Sequence, residues 1–324
     1  MRSKALLDRS KDDDLSDIFL TTKQVAALLH VQERKIYDMA ASGEIPGTRA
    51  FGKWLFNREA IHHWLESHGN NAEVRRRAAP PNVLLGSHDP LLEWAIRESN
   101  SGLATFLDGS RDGVERFANA EGVIAGVHIP DAANSGAAGG TAGNADARWN
   151  GPSVTGRFEN HGVALIEWAW RDRGLIMREE DRQTIREFSD IRGRRIAIRQ
   201  EGAGSRILFD REMARHGVDA DDCIFLKPSR SEQDAVLRVR EEEADVAFGL
   251  RCVARQFALP FIPVTKERFD LLIWHREWFE PPAQRLIAFA RTVEFKERAK
   301  RLTGYEIGGF GTVHFNGNAG LLDE

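Results

Sequence analysis

Only two of the 324 residues are cysteines, and no apolar stretch approaches the length needed to span a membrane. Cys223 and Cys252 stand in apolar or mixed surroundings without metal-ligand spacing, so we expect buried, unreactive thiols. The N-terminal segment from Met1 to Asp17 mixes charges of both signs and lacks the apolar core of a signal peptide. These absences predict a cytoplasmic protein that does not associate with a membrane.

The sequence patterns of several enzymes and nucleotide-binding proteins are also missing. A glycine-rich turn, Gly202-Ala203-Gly204-Ser205-Arg206, follows an apolar strand, but a dinucleotide fingerprint would require a third glycine where Ile207 stands. No Walker lysine follows that turn, and neither Ser205 nor Ser110 lies in the Gly-x-Ser-x-Gly pattern of a nucleophile elbow. We therefore expect neither nucleotide binding nor catalysis, and we predict no cofactor and no metal site.

The chain carries little net charge for its size, with a formal value of −4 at pH 7. Its hydrophobic content of 42% and charged content of 29% are ordinary for globular proteins. A chain of this composition does not coat nucleic acid, so any contact with DNA must be local. With 324 residues, it is also too long for one typical core, and two or three compact units are expected.

The residues from Leu20 to His68 have the pattern of a helix-turn-helix unit. Thr21 and Thr22 are suitable caps for a first helix, and a second helix is predicted from Glu33 to Ser42. A hairpin with Gly52 at its tip and a last helix follow. In such a unit the second helix enters the major groove with its first turn at the base edges. The residues predicted to contact DNA are Thr22, Arg34, Lys35, Tyr37, Arg49 and Lys53.

This unit resembles the excisionase and MerR-type winged helix. Thr22 to Leu29 is similar to the first helix of that family, Gly43 to Pro46 to the Gly-x-Ile-Pro end of its recognition helix, and Arg58 to Leu65 to its closing helix. The resemblance implies a domain that binds double-stranded operator DNA. It also leaves open an architectural role like that of an excisionase, in which the large domain only recruits partners.

Beyond residue 82, short apolar strands alternate with amphipathic helices, which is typical of an α/β domain. Three times a serine follows a glycine between a strand and a helix, at Ser87, Ser110 and Ser205. Hydroxyl and amide donors at helix N-termini can replace the hydration of a small oxyanion, and Arg199 or Arg206 can add full charge. The candidate ligand-binding residues are Ser87, Ser110, Arg199, Ala203, Gly204, Ser205 and Arg206.

The chain from Leu84 to Tyr305 resembles the periplasmic-binding-protein-like domain related to molybdate and tungstate binders. The resemblance rests on seven short motifs in order: Gly86-Ser87-His88-Asp89-Pro90, Gly109-Ser110, Ala125-Gly126-Val127-His128, Arg173-Gly174-Leu175-Ile176, the turn from Arg199 to Arg206, Ala244-Asp245-Val246-Ala247, and Gly304-Tyr305. It implies a bilobed type II fold, with two α/β lobes joined by two crossovers. It further implies a ligand held by Ser87, Ser110 and the turn at Ala203 to Arg206.

These patterns predict five segments. They are a disordered tail over residues 1–19, the winged helix-turn-helix domain over 20–68, a linker over 69–82, the bilobed domain over 83–305 and a C-terminal tail of coil over 306–324. One lobe is formed by about 83–167 and 269–305, and the other by about 168–268. The polar residues Arg171-Asp172-Arg173 indicate a break in the strand that crosses between the lobes.

The prediction for function is a transcriptional regulator whose partners are operator DNA and a small-anion effector, most simply an oxyanion such as molybdate or tungstate. A homo-oligomer, dimer or tetramer, is expected. Two features leave a second effector class open, a small organic anion or aromatic acid. They are Trp168 and Trp170 in the lobe crossing and the long glycine-rich loop from Asp131 to Asn160.

Overall fold

The computed structural model describes residues 19–29, 31–50, 52–58, 60, 61, 64, 79–131 and 149–318. The chain divides into two compact units, Met1–Ala79 and Pro80–Glu324. Most of the predicted tail, of the predicted linker and of the long glycine-rich loop lies outside the described residues. Phe19, which falls in the predicted tail, is the first residue of a strand.

The part of the N-terminal unit that the structure describes contains two helices and a three-stranded antiparallel sheet with the strand order β1-β3-β2, and Arg58, Ala60, Ile61 and Trp64 after the sheet are also helical. Thr21 caps the first helix, because its hydroxyl accepts a hydrogen bond from Gln24 N at 3.3 Å while Thr21 N donates to Gln24 Oε1 at 2.8 Å. The elements are β1 (Phe19–Thr21), α1 (Thr22–Leu28), α2 (Glu33–Ala41), β2 (Thr48–Ala50) and β3 (Lys53–Asn57). The first two predicted helices and the predicted hairpin are therefore present, and the predicted last helix lies partly outside the described residues.

The apolar faces of this unit meet around Phe56, which is fully buried. The predicted inward positions of the second helix, Ile36, Met39 and Ala40, belong to the same cluster. Trp64 Nε1 donates to the carbonyl oxygen of Glu44 at 2.5 Å, which connects the C-terminal part of the unit to the turn after α2.

The second unit is built on one curled mixed sheet with the strand order β5-β4-β6-β11-β7-β10-β8-β9. Its strands are β4 (Val83–Gly86), β5 (Ala104–Phe106), β6 (Ile124–Val127), β7 (Val163–Met177), β8 (Arg195–Ala197), β9 (Ile224–Phe225), β10 (Val246–Leu250), β11 (Phe261–Trp274), β12 (Tyr305–Glu306) and β13 (Val313–Asn316). Its α-helices are α3 (Pro90–Glu98), α4 (Ser110–Ala118), α5 (Pro152–Thr155), α6 (Gly204–Arg215), α7 (Glu232–Arg240), α8 (Arg251–Gln256), α9 (His275–Trp278), α10 (Pro281–Ala290) and α11 (Val293–Leu302). Short 3-10 helices cover Gly156–Phe158, Glu179–Gln183, Phe188–Ile191 and Ala220–Asp222.

Two long antiparallel strands, β7 and β11, run through both halves of this sheet. On one side of this pair, β11 is hydrogen-bonded to β6, and β4 and β5 follow outward in the sheet. On the other side, β7 is hydrogen-bonded to β10, and β8 and β9 follow. The β4–β6 and β8–β10 pairs are parallel, with helices on the faces of the sheet, as expected for α/β lobes. The predicted architecture of two α/β lobes joined by two crossovers is confirmed.

The predicted break at Arg171-Asp172-Arg173 is wrong. β7 is one continuous strand of 15 residues, and the side chains of Arg171 and Arg173 are each only 1% exposed. Charged residues can lie inside this strand because carboxylates from β11 and from two helix N-termini pair with their guanidinium groups.

The predicted coil from Tyr305 onward is also wrong. Tyr305 and Glu306 pair with Arg171 and Trp170 of β7, and Val313–Asn316 pairs with the first part of the same strand. β10 covers only the segment of β7 from Arg173 to Met177, so the edge of β7 before it would otherwise be open. The two short C-terminal strands close that edge.

Candidate ligand cleft and DNA-binding face

A cavity of about 140 Å³ lies between the two lobes, where loops following strands of both lobes meet. Such a position, outside the carboxyl ends of parallel strands, is where α/β proteins bind ligands. The N-termini of α4, α6 and α7 flank the cavity, so their helix dipoles favour a negative charge there. The residues lining it are Ser87, His88, Leu107, Gly109, His128, Arg199, Ala203, Ser205, Arg230, Ser231, Glu232 and Gln233.

The first lobe contributes Ser87 directly and Ser110 indirectly. Ser87 lines the cavity, whereas Ser110 is fully buried behind it and does not. The two hydroxyl oxygens lie 2.7 Å apart, and Ser110 Oγ also accepts a hydrogen bond from His128 N at 3.1 Å. Ser110 therefore positions Ser87, and its own burial does not support the prediction that Ser110 contacts the ligand.

Glycines allow the two lobes to come close at the cavity. A Cβ on Gly204 would lie 2.6 Å from the carbonyl oxygen of His128, and one on Gly109 would lie 3.1 Å from that of Gly202. Gly109 also has a φ of +118°, which disfavours any side chain. Gly204 is thus a spacer that brings Ala203 and Ser205 to the cavity wall, not itself a lining residue.

The two candidate arginines of the turn behave differently. Arg199 lines the cavity and donates to the carbonyl oxygens of Ser229 at 3.2 Å and Arg230 at 2.9 Å, and burial lowers its pKa. Arg206 does not line it, because Arg206 Nε donates to the carboxylate of Asp210 one helical turn further on, at 2.8 Å. The prediction that Arg206 binds the ligand is therefore not supported by its position.

The second lobe adds residues that the sequence analysis missed. Ser231 caps α7, accepting a hydrogen bond from Asp234 N at 2.9 Å, and Glu232 follows it at the cavity. The rule that selected Ser205, a serine between a strand and a helix, also applies to Ser231, but no glycine precedes Ser231. Glu232 Oε1 accepts hydrogen bonds from Arg173 Nη1 at 2.7 Å and Leu250 N at 2.8 Å.

A buried ionic network lies directly behind the cavity. Arg171 donates to Asp89 at 2.9 Å and to Glu267 at 2.5 Å, and Arg173 donates to Glu267 at 2.8 Å. Burial alone would raise the pKa of Glu267, but Arg171 and Arg173 together hold it well below its ordinary value of 4.5. Because Asp89 caps α3 of the first lobe and Glu232 begins α7 of the second, the network connects a helix of each lobe.

His128 joins this network to the cavity. Its Nδ1 lies 3.0 Å from Glu267 Oε2, and burial lowers the pKa of His128 although the nearby carboxylate favours its charged form. An ionised carboxylate can only accept, so the neutral ring carries its hydrogen on Nδ1. The histidine contributes no positive charge to the cavity near pH 7.

Neither tryptophan of the lobe crossing lines the cavity. Trp168 is fully buried in the core of the first lobe, and its Nε1 donates to Asp89 Oδ1 at 3.2 Å. Trp170 is partly buried against the core of the second lobe. The two tryptophans, one of the two features that left an aromatic effector open, thus pack against the cores of the lobes.

In the N-terminal unit, most of the predicted DNA contacts are exposed. Arg34 and Lys35 lie in the first turn of α2 and Tyr37 on its outer surface, while Arg49 and Lys53 lie on the two strands of the hairpin. Thr22 is an exception, because it is only 7% exposed. It belongs to the packing of α1 and offers little surface to DNA.

Two family models match the chain. The model described as a PBP superfamily domain matches residues 93–291, and a helix-turn-helix domain model matches residues 19–69. The chain therefore belongs to the family of the PBP superfamily domain, with a helix-turn-helix domain at its N-terminus. This confirms the predicted combination of a DNA-binding domain and a domain of the periplasmic-binding-protein type.

Among individual proteins, the uncharacterized protein YvgK of Bacillus subtilis (strain 168) is 22% identical over 307 residues, which cover 88% of this chain and 94% of YvgK. A putative phosphate ABC transporter substrate-binding protein with bound phosphate from Clostridium perfringens is similar over 71% of this chain and 98% of its own, with 11% identity and a TM-score of 0.48. The effector-binding domain of QuiR in complex with shikimate is similar over 67% and 95%, with 10% identity and a TM-score of 0.44. Within the described residues, no helix combines the length and the apolar character needed to cross a membrane.

Proposed function

We propose that this protein is a transcriptional regulator in which the N-terminal unit binds operator DNA and the cleft binds a small oxyanion of the molybdate or tungstate kind. The observation that carries the proposal is the small cavity at which the N-termini of α4, α6 and α7 meet. A helix N-terminus stabilises an anion through unpaired amides and its dipole. Three of them around one cavity support a negatively charged effector.

The size of the cavity supports a small effector. Its volume of about 140 Å³ is well below the roughly 300–1,000 Å³ of pockets that enclose drug-sized organic ligands. Trp168 and Trp170 lie outside it, so no tryptophan lines a surface for an aromatic ring. An inorganic oxyanion therefore fits this cleft better than an aromatic acid.

The hydrogen-bond donors that line the cavity also support an oxyanion as its ligand. Ser87 and Ser205 present hydroxyl groups from opposite lobes, and Arg199 contributes a cation. The one carboxylate among the lining residues, Glu232, is already paired with Arg173. Burial alone would raise the pKa of Glu232, but the guanidinium of Arg173 lowers it, which keeps the pair ionised.

An effector held by both lobes stabilises the closed cleft, and we propose that this closure changes the affinity for operator DNA in a homo-oligomer. Coupling between two sites is typically about 1–3 kcal/mol, or roughly 5- to 150-fold in affinity. The architectural alternative requires DNA binding that no small molecule alters.

Isothermal titration of the full chain with molybdate, tungstate, sulfate, phosphate and a set of carboxylates tests the proposal. We expect saturable binding of at least one oxyanion and a loss of about tenfold or more in Ser205→Ala, since a hydrogen bond to a charged group is removed. Ser99→Ala, on the C-cap of α3 outside the cavity, is the matched control and should bind as the wild type does. Equal oxyanion affinity in Ser205→Ala would remove this cleft from the account.

A further inference from the structure

A second concave surface, here called the arginine groove, lies outside the ligand cleft. It has a volume of about 460 Å³ and lies between α3 of the first lobe and α8 and α11. Its polar lining includes Arg97, Gln233, Arg255, Arg298 and Arg301, with the ring of Trp94 on one wall. Four of the lining side chains are therefore guanidinium groups.

The arginine groove carries positive charge without matching carboxylates. Its only acidic lining residue is Glu93, and that carboxylate already binds His88 at 2.8 Å and Arg97 at 3.2 Å. No carboxylate of the described residues lies within ion-pair distance of Arg255, Arg298 or Arg301. Arg255 Nη1 instead donates to the backbone carbonyl oxygen of Arg301 at 3.1 Å, so these three guanidiniums line one concave surface without a direct carboxylate partner among the described residues.

Local helix structure explains only part of this arrangement. Arg255 and Arg301 lie in the last turns of α8 and α11, where a cation interacts favourably with the helix dipole. The helix dipole does not explain the position of Arg298. Its guanidinium lies 5.4 Å from the centre of the Trp94 ring, and its Nε is buried without a hydrogen-bond partner. An unsatisfied buried donor next to like charges is costly unless an anion completes it.

We propose that the arginine groove is a second binding site, for a small anion of the oligophosphate class. Guanidinium groups bind phosphate oxygens in a bidentate manner, and a chain of linked phosphates presents several such oxygens at once. The groove has about three times the volume of the cleft, enough to hold more than one tetrahedral group. The site does not depend on the identity of the cleft effector.

The phosphate backbone of DNA is the competing occupant of the arginine groove, and the shape of the groove argues against it. The wall formed by Trp94, Leu302 and Cys252 is concave and partly apolar, whereas contacts to a duplex backbone are made from exposed surfaces. Arg298 in particular is partly buried, and its side chain is held against Trp94.

Isothermal titration of the full chain with inorganic tripolyphosphate at physiological ionic strength tests the groove. We expect saturable binding by the wild type and a loss of about tenfold or more in the double variant Arg298→Gln and Arg301→Gln, with molybdate binding in the cleft unchanged. The matched control is Arg285→Gln with Arg291→Gln, which removes the same charge from exposed positions on and after α10. The control should bind tripolyphosphate as the wild type does.

A lysine variant keeps the experiment decisive if the glutamine variant unfolds. Arg298→Lys with Arg301→Lys retains the charge but loses bidentate geometry, and we expect it to weaken tripolyphosphate binding by an intermediate factor. Three results would overturn the proposal. They are no saturable binding by the wild type, equal loss in the control and groove variants, and a groove variant that loses only affinity for DNA.

Discussion

The hydroxyl oxygens of Ser87 and Ser110 lie 2.7 Å apart, and only the first of them lines the ligand cleft. Ser110 also accepts a hydrogen bond from the backbone amide of His128, which lies on the loop after the neighbouring strand. One buried hydroxyl thus fixes two separate residues of the cavity wall. This relationship makes the geometry of the first lobe depend on a residue that an effector does not touch.

Ser110→Ala should therefore destabilise the protein. It leaves the buried amide of His128 without its acceptor, which we expect to lower the free energy of unfolding by about 1–3 kcal/mol. Urea denaturation measures the change. Ser99→Ala, whose hydroxyl lies near the surface, should stay within about 0.5 kcal/mol of the wild type. Indistinguishable midpoints for the two variants would contradict the supporting role of Ser110.

Glu267→Gln tests the buried ionic network. The substitution leaves Arg171 and Arg173 with one carboxylate partner fewer in the interior, so we expect a loss of about 3–5 kcal/mol in the free energy of unfolding. Glu297→Gln removes a carboxylate from an exposed pair with Lys300 and should change stability little. If both variants unfold at the same urea concentration, the network does not stabilise the fold.

The lowered pKa of His128 leads to a prediction of how the stability of the fold depends on pH. Burial lowers its pKa below the ordinary value of 6.5, so the unfolded chain takes up a proton more readily than the folded one as the pH falls below that value. The free energy of unfolding should fall over this window, and the stability from His128 is fully present only above pH 6.5. Urea denaturation between about pH 7 and about pH 5 measures the effect.

His128→Gln isolates that contribution. Asp270, whose pKa burial raises to about 6, acts with the opposite sign, since its stabilisation is lost as the pH rises through that value. Asp270 is present in both proteins, so the difference between them reports on His128 alone. The variant should show a shallower loss of stability below pH 6.5, and a pH profile parallel to that of the wild type would refute the prediction.

Arg34→Ala tests the assignment of α2 as the recognition helix. Arg34 is exposed in the first turn of that helix, and its loss should weaken operator binding by about 1–3 kcal/mol and relax the sequence preference if it contacts a guanine. Fluorescence anisotropy with operator and mismatched duplexes measures both effects. Lys23→Ala, on the exposed side of α1, is the control, and an unchanged footprint for Arg34→Ala would exclude this orientation.

Local patterns in the sequence predicted much of the site. Ser87 and Ser205 could be found because a strand, a small turn and a helix are each encoded by neighbouring residues. Arg171 and Arg173 could not be interpreted in the same way. Their partners stand between 59 and 96 residues away, and nothing nearby in the sequence shows that two arginines in a strand will be neutralised.

The other differences between the sequence-based expectations and the structure also have physical causes. The helical partner of Arg206, Asp210, lies four residues away and competes with any ligand for its guanidinium. The strand from Val313 to Asn316 forms because β7 has an edge to cover, and that edge exists only once the sheet is assembled. Such features depend on tertiary structure, which propensity and spacing do not report.

The central claim is that an oxyanion in the cleft changes DNA binding. The most direct measurement is the affinity of the full chain for operator DNA, selected from a random-sequence library, with and without saturating molybdate or tungstate. The account predicts a change of roughly 5- to 150-fold in the wild type, which Ser205→Ala reaches only at an effector concentration about tenfold or more higher, while its DNA affinity without effector stays intact. The same operator affinity in the wild type with every oxyanion and without any would contradict it.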